Sequence, residues 1–194
     1  MPLSGSVSEN ADKTKNYSIT GVKENDSNTI SASAFVKGYR DTPDPRKLNA
    51  PQYGVLGGTL AVESGGNSMG VATQHIPSFG NKITASSSVN LLNTDKHKFD
   101  AHAFASQTIP NEHKNFATYG GGVDYSLMNK VGTSASVAHT PMFNKTDYNV
   151  GGHVNLHKTP TSSLDLNMGA SKTSSPFSNG RWQQEGALIF KKKF

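Results

Sequence analysis

Residues 66 to 70, GNSMG, have the G-x-S-x-G spacing that presents a nucleophilic serine to a neighbouring base. That chemistry depends on a strained strand-to-helix turn, which lifts the hydroxyl out of the backbone. Here SGG precedes Asn67 and VATQ follows Gly70, which is the signature of a hairpin, so Ser68 reads as an ordinary strand residue. Three consecutive glycines in YGGGVDYS, residues 119 to 126, raise a phosphate cradle instead. A cradle needs a helix and a Lys-Ser/Thr pair after the glycines, but Leu127 and a turn follow. Seven histidines invite a metal. His153 and His157 would share a strand face, yet four residues along a strand span about 13 Å, too far for one ion. His97, His102 and His113 fall in or beside one strand and its turns, with His75 and His139 beside loops. Asp124 and Asp165 sit inside strands without a second carboxylate for acid and base work. No catalytic residue, metal site or cofactor is expected, and the chain is not read as an enzyme.

Charge is the remaining chemistry. The 194 residues carry a formal net charge of +5, which favours acidic partners such as anionic lipid, lipopolysaccharide or nucleic acid without choosing among them. Aromatic residues are not interleaved with the basic ones along any strand, so a nucleic-acid stacking platform is not expected. The densest basic run is Lys191, Lys192 and Lys193, and Lys96 and Lys98 add two more cations in a turn. With no cysteine in the chain, disulfides and thiolate chemistry are excluded.

What positions these lysines is read from periodicity. VATQHIPSFGN, FASQTIPNEHKN, VAHTPMFN and GASKTSSPFSNG place Ala72, Ala105, Ala138 and Ala170 at intervals of 33, 33 and 32 residues. Helical repeats of that length need stripes at 3.6 spacing, but the sequence alternates at period two. Tyr148, Val150, Gly152, Val154 and Leu156 alternate with polar residues, and so do Ile83 to Leu91 and Leu164 to Ala170. Turn signals separate these runs at SGGN, NTDKHK, MNKVG and KTPTS. Residues 51 to 194 are therefore expected to form an all-β domain, an antiparallel up-and-down meander of about nine or ten strands. So long a meander is expected to close into a β-barrel, because closure removes its edges. Paired glycines at 57 and 58, 121 and 122, and 151 and 152 read as wall positions of a curved sheet.

Residues 1 to 50 look different. Seven Lys or Arg stand against six Asp or Glu there, with little periodicity, and the segment reads as a mostly disordered N-terminal arm. Within it NTISASAFVKGYR, residues 28 to 40, could make one strand, and Arg46-Lys47 is a candidate processing site. Val89, Leu91, Tyr119, Val123, Tyr125, Val150, Val154, Leu156, Leu164, Leu166, Trp182 and Leu188 are expected on one sheet face. Pointing inward that face makes a soluble barrel, and pointing outward a membrane barrel whose strands have the right length; abundant Gly, Ala and Ser on it favour inward. The opening MPLSGSVSEN shows no basic stretch followed by an apolar one, so a secreted form is expected to be the mature chain, with an intracellular leaderless form as the other possibility.

Four blocks carry a family resemblance: SVNLLNTDKHKFDAHAFASQ (88 to 107), GGGVDYSLMNKVGTSASVAHT (120 to 140), GGHVNLHKTPTSSLDLNMGASK (151 to 172) and SSPFSNG (174 to 180). In order and content they resemble the glycine-rich C-terminal region of the attacins, antibacterial proteins of insects. The resemblance runs from about residue 55 to the end, and the polar N-terminal segment and the KKKF ending depart from it. It implies an inducible immune effector of the haemolymph, acting on Gram-negative bacteria through lipopolysaccharide and the outer membrane. It brings no catalytic residues and no obligate protein partner. On this reading Lys191, Lys192, Lys193, Lys96 and Lys98 are the expected lipopolysaccharide contacts. The alternative is a β-barrel carrier holding a small lipid or carbohydrate in its interior.

Overall fold

The computed structural model describes residues 2–42, 51–128, 130–159 and 161–192. Arg46, Lys47 and Lys193 lie outside them. The strands are β1 (Leu3–Glu9), β2 (Lys15–Glu24), β3 (Asn28–Tyr39), β4 (Val55–Ser64), β5 (Asn67–Ile76), β6 (Gly80–Asn93) and β7 (His97–Pro110). They continue with β8 (Phe116–Leu127), β9 (Val131–Thr140), β10 (Lys145–Lys158), β11 (Ser162–Ser175), the two-residue β12 (Ser178–Asn179) and β13 (Gln183–Lys192). The helical content among the described residues is one 3-10 turn, Pro141–Phe143. Strand order follows chain order from β1 to β12, and β13 pairs with β11. The antiparallel meander expected from the alternation is present, and its order has two ends, so the expected barrel closure is not made by its ladders.

The chain divides into two compact units, one of residues Met1–Ser87 and Ser106–Phe116, the other of Ser88–Ala105 and Ala117–Phe194. This corrects the division expected at residue 50. The segment taken for a disordered arm supplies β1, β2 and β3 of the first unit, and Lys37 of β3 pairs with Val55 of β4 across the expected boundary. Its strands are poor in apolar residues, as in β1, LSGSVSE. Their backbone groups are satisfied by ladders rather than by a local signal, and short polar side chains reinforce them across strands, Ser6 to Ser18 at 2.7 Å and Ser33 to Thr59 at 2.6 Å.

In the first unit one register row reads Leu3, Gly21, Ala32, Leu60, Val71. The opposite face reads Ser4, Thr20, Ser33, Thr59, Ala72. In the second unit Leu127, Val131, Val154, Leu166 and Leu188 stand in one row. Asp124, Ser134, Gly151, Gly169 and Glu185 form a row on its other face. Each ladder is thus one layer thick with an apolar and a polar face, as period-two sequences require.

The apolar face is not packed inward. No hydrophobic residue among those described is buried. Val89, Leu91, Tyr119, Val123, Val150, Leu156, Trp182 and Leu188 are exposed, and Tyr125, Val154, Leu164 and Leu166 are half-buried. The expected soluble core is therefore replaced by an uncovered apolar face. The physical reason within each unit is the single layer: among the described residues the secondary structure is one sheet and one 3-10 turn, so a large side chain has chiefly its strand neighbours to meet.

Glycines on the polar face make room for rings from the adjacent strand. A Cβ at Gly57 would stand 2.5 Å from the Phe35 ring, one at Gly120 2.4 Å from Phe104, and one at Gly132 2.0 Å from His153. The run YGGGVDYS lies within β8, as the wall reading expected.

Candidate functional site: a lysine rim beneath an apolar face

Four turns and strand ends of the second unit meet at one end of its ladder. The β6–β7 turn is tied to the β8–β9 turn by the Met128 N–H donating to the Lys96 carbonyl at 2.6 Å. The Asn155 N–H of β10 donates to the Lys130 carbonyl at 2.7 Å. On the far side Lys158 pairs with Ser163, and Ser163 with Lys191, while Ser162 pairs with Lys192. Backbone pairing alone therefore gathers Lys96, Lys98, Lys130, Lys158, Lys191 and Lys192 along one rim, and all six are exposed. Lys158 and Lys191 stand two strands apart in one row, about 10 Å at ordinary strand spacing. Lys98 also meets Asp100 at 3.3 Å.

The expected contacts Lys96, Lys98, Lys191 and Lys192 thus lie at one end of the ladder, with β8 to β11 between the two pairs. Lys158 was missed from the sequence. A β-bulge lies between Asn155 and His157 in the register with β11, and counting by twos does not reveal a bulge. The same bulge sets His157 opposite Leu164 while His153 lies opposite Asn167. The two histidines consequently occupy opposite faces, and the expectation that they share one is corrected.

At the β6–β7 turn a polar recess of about 280 Å³ is lined by Asp95, Lys96, His97, Lys98, Ser126 and Met128. His97 Nδ1 is 2.7 Å from the Tyr125 hydroxyl, which ties the turn to β8. On the apolar face an open groove of about 540 Å³ runs beside Val123, Val137, Tyr148, Val150 and Trp182. Trp182 immediately precedes β13 and is 48% exposed. The groove is open and apolar, and Trp182 beside it lies at the opposite end of β13 from Lys191 and Lys192.

The catalytic alternatives gain nothing. Ser68 lies in β5 opposite Glu63, just after a tight turn with positive φ at Gly65 and Gly66, so GNSMG is a hairpin as its flanks implied. No cluster of metal-ligating side chains occurs among the described residues. His102 and Asp124 meet at 3.1 Å on the polar face, with no nucleophile placed by that contact.

Comparison with known proteins bears on this arrangement. Residues 77–194 match the family described as attacin, C-terminal region. Attacin-B of Hyalophora cecropia is 38% identical over 194 residues, covering 98% of this chain and 79% of that protein. Defense protein 3 of Lonomia obliqua is 37% identical, with the same shares covered. Attacin of Bombyx mori is 37% identical, across 98% of this chain and 87% of its own length. Among solved structures, an anion-selective porin from Comamonas acidovorans superposes with a TM-score of 0.57 at 11% identity. That match covers 89% of this chain and 57% of the porin, and it is a likeness of fold.

Proposed function

The chain belongs to the attacin family, and from that premise we propose that it is an antibacterial defence protein that reaches Gram-negative bacteria through lipopolysaccharide and disturbs their outer membrane. One observation carries the reading: an uncovered apolar sheet face ends in a rim of six exposed lysines. Lysines near an anionic lipid surface contribute about 1 kcal/mol each, and phosphate-bearing lipopolysaccharide is such a surface. Once the rim is held there, the exposed side chains beside it can leave water for the acyl region, which is the driving force of any interfacial amphipathic surface. Strands of 12 to 14 residues in β8, β10 and β11 exceed the roughly 9–11 needed to cross a bilayer at a tilt. No covalent chemistry is required. On this reading the protein works outside the cell that makes it, in haemolymph.

The rival reading, a carrier with a small ligand inside a closed barrel, has less support, because the large apolar side chains are uncovered. The test is binding to lipopolysaccharide vesicles after Lys96→Gln, Lys98→Gln and Lys158→Gln together. Three lost cations should weaken binding by about a hundredfold at low salt, from about 1 kcal/mol each. The salt dependence should flatten and killing of Gram-negative cells should fall in parallel. Unchanged affinity and salt dependence would remove the rim from the account.

A further inference from the structure

Among the described residues β13 has one strand neighbour, β11. β13 pairs with β11 on one side over ten consecutive positions, Ser162↔Lys192 to Ser171↔Gln183, without a bulge. Every residue of the strand is exposed. Its sequence, QQEGALIFKK, places apolar residues on both faces. Ile189 stands opposite Asp165, and Ala187 opposite Asn167, in rows that are otherwise polar. Natural edge strands are kept apart by proline, bulges or charges; β13 carries charges only towards its ends, at Glu185, Lys191 and Lys192, and its ALIF centre has no proline, bulge or charge.

We infer that the missing neighbour of β13 is β13 of a second copy of this chain. The strand is complementary to itself when run antiparallel about Leu188. In that register Leu188 meets Leu188 of the second copy and Ala187 meets Ile189. Phe190 lies across from Gly186, the arrangement in which an aromatic ring covers a strand glycine. Glu185 lies across from Lys191, so the one acid of the strand faces a base at both ends of the pair. The operator is a two-fold axis normal to the sheet, which makes the contact isologous and closes it at two copies. It also keeps the apolar faces on the same side, so pairing doubles the uncovered apolar surface. The inference does not depend on the antibacterial reading, since it concerns the protein in buffer without lipid.

Analytical ultracentrifugation of the full chain across a dilution series tests it. The parent should sediment as a dimer that dissociates on dilution. Glu185→Lys, which sets lysine against Lys191 at both ends, should shift the midpoint of dissociation to at least tenfold higher concentration. Adding Lys191→Glu to the same chain exchanges the two charges and should restore the parent behaviour, which a misfolded variant cannot do. Circular dichroism of each variant should show the parent β signal. A parent that is monomeric at every concentration overturns the inference. So does a Glu185→Lys variant that dimerises like the parent, a double variant that is not rescued, or growth past the dimer into open-ended assemblies, which would mark a different edge such as β1 as the partner.

Discussion

Leu60 sits at the middle of β4 between Ala32 and Val71 and is 55% exposed. Leu60→Ala removes three carbons, worth about 2.4 kcal/mol if fully transferred from water at ~0.8 kcal/mol each. The residue is a little under half covered, so unfolding in urea should show a loss near 1 kcal/mol, well short of the ~2–5 kcal/mol typical of a packed core leucine. The uncovered share, about 1.3 kcal/mol by the same coefficient, is what a lipid surface could still gain. Partition onto lipopolysaccharide vesicles should therefore fall by about tenfold. The assay pairs urea denaturation with vesicle co-sedimentation on the same sample. A loss above ~2 kcal/mol in water, with vesicle binding unchanged, would show that Leu60 is sealed in a core and would refute the uncovered face.

Other outcomes follow from local geometry. Gly120→Ala brings a Cβ within 2.4 Å of the Phe104 ring and 2.7 Å of the Val137 carbonyl oxygen, so it should cost about 1–3 kcal/mol in thermal or urea unfolding. Gly5→Ala meets nothing nearer than 3.7 Å and should be neutral or slightly stabilising. In the β1–β2 turn the Thr14 hydroxyl donates to Asp12 at 2.7 Å and the Thr14 N–H at 3.2 Å. These bonds, the hydroxyl first, hold the Asp12 carboxyl below its ordinary value. A depressed carboxyl stabilises the fold fully above its unfolded value, about 3.9, and loses that contribution as pH falls through the lower folded value. Protection of the Thr14 amide, taken relative to its intrinsic exchange rate at each pH, should accordingly fall in acid, and Asp12→Asn should remove that pH dependence.

The meander was legible because alternation and turn residues are local signals. Val150 to Leu156 and Leu164 to Ala170 announce strands without reference to neighbours, and NTDKHK and KTPTS announce the reversals. β3 was legible in part for the same reason. β1 and β2 were not, since LSGSVSE and KNYSITGVKE carry few apolar residues and owe their order to ladders with the adjacent strands, β1 with β2 and β2 with β3. The direction of the apolar face was illegible in principle: period two defines two faces and says nothing about which of them another layer will cover. The lysine clusters at 96, 98 and 191 to 193 were visible as charge, but the meeting of Lys96, Lys98, Lys191 and Lys192 at one rim with Lys130 and Lys158 depends on register. The bulge before His157 altered that register in a way no count of positions could foresee.

Trp182 is the single tryptophan of the chain and borders the groove on the apolar face, so its emission reports directly on the central claim that this face leaves water for lipopolysaccharide-bearing membrane. The decisive measurement is Trp182 fluorescence on adding vesicles that contain lipopolysaccharide and bromine-labelled acyl chains. The account predicts a blue shift, quenching by the bromine labels and protection from aqueous iodide, all reversed by high salt added before contact. Emission that stays at its position in buffer, open to iodide and untouched by bromine while the protein co-sediments with the vesicles, would contradict it.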